Sequence, residues 1–139
     1  MKPLRSVSKK FVTAVLGLPV LLAFSAAVFG SQFSVKEYNE FHHVLHPLEH
    51  EALPAKDFQR IRTNAAELVK RGQAIVQVGL PAGVPTQNQE EFRKELKKFD
   101  GALANFSNHA KDGTDAQLET AFSAVHDSFE MLVGMLPRK

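Results

Sequence analysis

From Ser34 onward the apolar residues of this chain return every three or four positions, and no stretch alternates with a period of two. That spacing constrains the fold more than any other feature. It gathers apolar side chains on one stripe of an α-helix and gives a strand no face to bury. Four stripes are legible. The first holds Tyr38, Phe41, Leu45, Leu48 and Ala52, and the second Phe58, Ile61, Ala65, Leu68, Gly72 and Ile75. The third holds Phe92, Leu96, Phe99, Leu103, Phe106 and Ala110, and the fourth Leu118, Phe122, Val125, Phe129, Leu132 and Leu136. The phenylalanines fall mostly on these stripes and read as core.

Punctuation agrees with the stripes. Ser34-Val35-Lys36-Glu37, Thr86-Gln87-Asn88-Gln89 and Thr114-Asp115-Ala116-Gln117 each match the S/T-x-x-E/Q capping box just ahead of a stripe. Pro54 stops the first helix, because a residue before proline is pushed out of the helical region. GLPAGVP, residues 79–85, breaks the middle of the chain. Gly113 suits a left-handed cap on the third helix, and Pro137 ends the fourth. The connections are short, so successive helices reverse direction. The expected architecture is all-α, an antiparallel up-down-up-down four-helix bundle over residues 31–139. Pro47 falls inside the first stripe and removes a hydrogen bond to the carbonyl of His43, so that helix should kink or restart there.

The first thirty residues read differently. MKPLRSVSKK carries four positive charges and no acid, and an apolar run follows from Phe11 to Gly30. This is the layout of an export signal, with small residues at Ser25-Ala26-Ala27 for cleavage. The run is also long enough to stay as a membrane anchor. Residues 1–30 are therefore expected to be a signal peptide or an uncleaved anchor, and the bundle to be periplasmic. Of the 17 basic residues four leave with this segment, so 13 face 15 acids and the bundle is near −2. Nothing there supports nucleic acid binding. With no cysteine, disulfides, thiolate ligands, a cysteine nucleophile and covalent haem attachment are all excluded.

Four of the six histidines, His42, His43, His46 and His50, lie within nine positions. Imidazoles four apart on a helix are neighbours and can chelate one ion. At 100° per residue His42 sits roughly 90° from the centre of its stripe, His46 roughly 130°, and His126 about 80° from its own. These are seam positions between helices. By height along antiparallel helices, His42, His46, Glu67 and His126 should converge, with Glu130 one turn beyond His126 as a further ligand and Met131 beside it. His43 points away from His42, and His109 lies too far along the third helix. Imidazole and carboxylate donors of this kind suit nickel, cobalt, copper or zinc.

Other readings compete. His46, Glu49 and His50 spell H-x-x-E-H, a zinc peptidase string, but Pro47 interrupts it and about 110 residues leave little room for a peptide cleft. A di-iron centre needs two E-x-x-H motifs; Glu40 and His43 supply one. No enzyme activity is expected. A non-covalent haem held by His126, or a helical module that only binds a protein partner, are the alternatives to a metal site.

The run His46-Pro-Leu-Glu-His50-Glu-Ala-Leu-Pro54, with Glu67 and with His126 followed by Phe129-Glu130-Met131, resembles the periplasmic nickel/cobalt sensors of the CnrX type. These sensors belong to a wider group of exported helical metal-resistance proteins. Their pattern is H-x-x-x-H-E-A-V-P, a glutamate seventeen residues after the second histidine, then H-x-x-x-M near the end. His46, His50 and Glu67 match it without a gap, whereas Glu130 stands where the methionine is expected and Met131 follows it. The resemblance adds His50 to the ligand set. The expected ligands are then His42, His46, His50, Glu67, His126 and Glu130, holding a divalent transition ion for sensing, buffering or resistance. An inner-membrane signalling partner or a homodimer would go with a sensor.

Overall fold

The computed structural model describes residues 32–139, so the expected export segment lies outside the described residues. Four helices pack against one another: α1 at Lys36–Pro47, α2 at Phe58–Val78, α3 at Gln89–Asp112 and α4 at Asp115–Met135. There is no strand among the described residues. None of these helices is long and apolar enough to cross a membrane.

The stripes are the core. Tyr38, Phe41, Leu45, Ile61, Leu68, Ile75, Phe92, Phe99, Leu103, Phe106, Phe122 and Phe129 are all fully buried. Two departures occur on the seam between α3 and α4. Leu96 is only half-buried and Glu95, 5% exposed, takes its place inside. Its carboxylate accepts a hydrogen bond from the Ser128 hydroxyl at 2.7 Å and pairs with Lys98 at 3.4 Å, so its burial is compensated. Gly72 lets α2 approach α3: a Cβ there would stand 2.6 Å from the Leu103 methyls.

Of the three expected capping boxes only Thr114–Gln117 forms, with both reciprocal hydrogen bonds. Thr86–Asn88 is instead a short 3-10 turn, and α3 starts behind it. Ser34 lies outside α1 and its hydroxyl donates to the Pro137 carbonyl at 3.0 Å, tying the start of α1 to the end of α4. The entry to α1 is held by Asn39 instead. Its side chain accepts from the Phe33 N–H at 2.8 Å and donates to the carbonyls of Phe33 and Val35 at 2.9 Å each. α2 has a cap that no capping box announces, Asp57, which accepts from the Arg60 N–H. Gly113 is extended (φ −79°) and not left-handed; the glycines with positive φ are Gly79 (φ 66°), just past α2, and Gly83 (φ 89°).

Pro47 changes the helix without breaking it. Pro47 has no N–H to donate to the His43 carbonyl, and the next N–H, of Leu48, donates to the Leu45 carbonyl. Leu48–Ala52 then forms a π-helical turn, with the Leu53 N–H donating to the Leu48 carbonyl at 2.9 Å. Such turns widen the helix locally and redirect the side chains they carry. Here they carry Glu49 and His50.

Candidate metal site in the seam between the first and last helices

α1 has two flanks beside its buried stripe. At 100° per residue Glu40 and His42 are roughly 160° apart around the helix, so they face different neighbours. Glu40 faces α2, where it meets Arg71 at 3.0 Å. His42 faces α4, where its ring lies 6.2 Å from the Phe129 ring and 5.5 Å from that of Phe33. Phe129 also meets Tyr38 at 5.9 Å and Phe41 at 4.8 Å, so this seam is filled by rings.

The polar part of the seam lies beyond the rings. The His42 and His46 rings are 5.3 Å apart, and those of His46 and His50 are 4.4 Å apart. The three imidazoles form a ladder along α1 into the π-helical turn. Across from its lower end stands His126 of α4, whose Nε2 is 2.8 Å from Glu49 Oε1 and 3.9 Å from Glu130 Oε1. The other Glu49 oxygen is 3.7 Å from His50 Nε2. Glu49 thus stands between two imidazoles of different elements. On the far side of the His126 ring, Nδ1 lies 3.4 Å from Asp127 Oδ1. A carboxylate at one ring nitrogen turns the other toward a ligand.

Electrostatics ties these groups together. Burial pushes the His42 pKa below its ordinary value, and the nearby His46 pushes in the same direction. Glu130 and Glu49 oppose that shift and His50 adds to it. A groove of about 560 Å³ runs along α1; His42, His43 and His46 line it together with Glu40 and Arg71 of the other flank, and Glu49, His50 and His126 are not part of its lining.

The expected ligands are therefore divided. His46, His50, His126 and Glu130 gather at the seam, with His42 behind them among the rings. Glu67 does not join them. Its carboxylate accepts a hydrogen bond from Arg71 Nε at 2.7 Å, and Arg71 reaches on to Glu40, on the flank of α1 away from His42. The reason is geometric: α2 and α4 lie on different sides of α1, so one cluster on α1 cannot face both. The carboxylate that does meet His126 is Glu49. The H-x-x-E-H string held it in view, but a uniform helix gave no reason to prefer it over Glu67. Met131 sits five residues from His126, about 140° around α4, and is 52% exposed.

Among the described residues, no three His, Asp or Glu side chains are arranged to hold a metal ion as they stand. No protein-family model, curated protein or solved structure matches the chain.

Proposed function

We propose that this is an exported helical bundle that binds one divalent transition ion in the seam between α1 and α4. The observation that carries the reading is the meeting of His126 with Glu49 at 2.8 Å, beside the His46–His50 ring contact. Two elements distant in sequence bring an imidazole and a carboxylate into contact beside further imidazoles, which a scatter of surface histidines does not do. Binding in this reading requires the donors to move together. His50 is 59% exposed and Glu130 55%, so both have room to rotate. In this reading the helices run up-down-up-down. Contacts at matching heights support that course: Glu40 with Arg71, Gln73 with Asp100, Glu95 with Ser128 and Ser34 with Pro137. The resemblance to the CnrX-type sensors, nickel, cobalt, copper or zinc as the ion, and a role in sensing, buffering or resistance belong to the same proposal. So do the periplasmic location and an inner-membrane or homodimeric partner.

Equilibrium dialysis of the full chain against Zn(II) and Co(II) at neutral pH tests it. The expected result is one ion per chain, with affinity reduced by His126→Ala and by His50→Ala. Equal uptake by wild type and both variants would contradict it and leave a helical module that binds a protein partner. The specific observation behind that second reading is that the Glu49–His126 pair alone can serve to join two helices.

A further inference from the structure

We infer that Glu49 takes the ligand place expected of Glu67, with Glu130 as the second carboxylate, and that the sulfur-free donor set selects dications over soft monovalent ions. The inference rests on the metal reading above. Around a tetrahedral ion with bonds near 2.0–2.1 Å, ligand atoms stand about 3.3 Å from one another. Three separations at the seam bracket that edge: 2.8 Å from His126 Nε2 to Glu49 Oε1, 3.7 Å from His50 Nε2 to Glu49 Oε2, and 3.9 Å from His126 Nε2 to Glu130 Oε1. These are pairwise separations, two of them to different Glu49 oxygens, and no three of the groups surround one point as they stand; binding needs the exposed His50 and Glu130 side chains to rotate inward. The Glu67 carboxylate is instead held by Arg71, at 2.7 Å.

The chemistry of the donors fixes the class of ion. The chain has no cysteine. Of the two described methionines, Met131 lies about 140° and Met135 about 180° around α4 from His126. Glu130 lies only about 40° from His126 by the same geometry, on the near side of the helix. The seam therefore offers imidazole nitrogen and carboxylate oxygen and no thioether. Two carboxylates balance a dication, whereas a monovalent ion would leave an uncompensated negative charge partly shielded from water. Soft ions such as Cu(I) and Ag(I) gain most from sulfur, and imidazole with carboxylate suits Zn(II), Co(II), Ni(II) and Cu(II).

The test measures Zn(II) affinity by competition with a chromogenic chelator for wild type, Glu49→Gln, Glu49→Asp, Glu67→Gln and Met131→Leu. Ag(I) is the soft probe, and far-UV circular dichroism checks folding. Glu49→Gln is expected to weaken Zn(II) by about 100-fold, the upper range for loss of a group that supports a metal site. Glu49→Asp should weaken it less, and Glu67→Gln and Met131→Leu less than about twofold. Equimolar Ag(I) should not displace Zn(II). If Zn(II) binds but Glu67→Gln is the variant that weakens it, or Ag(I) displaces it, the inference is overturned and the metal reading stands. If wild type takes no Zn(II), both fall.

Discussion

The seam between α2 and α3 and the seam between α1 and α4 are built in opposite ways. At the first, Gly72 removes a side chain so that Leu103 can fill the space, and Gln73 donates to Asp100 at 2.9 Å. Arg62 also donates to the carbonyls of His109, Ala110 and Gly113, satisfying the end of α3. At the second, the helices are spaced by whole rings: Tyr38, Phe41 and His42 from α1 against Phe129 from α4. Where the rings stop, imidazoles and carboxylates take over. A closely packed seam has no room for a ligand. A seam spaced by large side chains has room at its polar end, and there the titratable groups collect.

Removing a spacer should be the most damaging change. Phe129→Ala is expected to cost about 3–5 kcal/mol in denaturant unfolding, the usual range for a fully buried phenylalanine. A cost under 1 kcal/mol would mean that the rings do not hold α1 to α4. Filling the close seam should come next. Gly72→Val drives two methyls into Leu103 and is expected to cost about 1–3 kcal/mol by overpacking. A neutral result would show that α2 and α3 can separate freely and would blur the contrast between the seams.

Much smaller is the metal-free effect of Glu49→Gln. Glu49 and His126 are each 24% exposed, and ion pairs in contact with water contribute about 0–1 kcal/mol. If this variant proves as destabilising as Phe129→Ala, the pair is a structural support and its place beside the ladder loses its functional meaning. Smallest of all is a pH effect at His42. Its folded pKa lies below the ordinary 6.5, because burial and His46 disfavour the imidazolium. The unfolded chain therefore takes up that proton first as the pH falls. The stability it contributes is present above about 6.5 and is lost as pH drops through the folded value. Wild type should lose stability between pH 7.5 and 5.5, and His42→Phe should lose less; equal losses would place His42 outside the ring-lined pocket.

These predictions lean on features of unequal legibility. The four helices and nearly every core position follow from the apolar spacing, because burial of one stripe is a local and periodic demand. Glu95 escaped that pattern because its burial depends on Ser128, on another helix. A capping motif in sequence does not guarantee a cap. Ser34 matches the motif, yet its hydroxyl bonds to Pro137, over a hundred positions away, and Asn39 does the local work. The polar cluster in the α1–α4 seam is half legible. The histidines were found because they are dense in sequence, and Pro47 announced a disturbance of the helix. That the disturbance is a π-helical turn presenting Glu49 to His126 could not be read from a wheel of constant pitch. Height along the helices and the spacing of the resembled family both put Glu67 at the site, and neither says which flank of α1 a neighbour covers.

The most direct test of the account is the unfolding free energy of the full chain with and without Zn(II). A ligand at 100 times its Kd stabilises a folded state by about 2.7 kcal/mol when the unfolded chain does not bind it. A gain of that size is expected for wild type and a much smaller one for His126→Ala. An equal gain in both proteins, or none in either, would contradict the account.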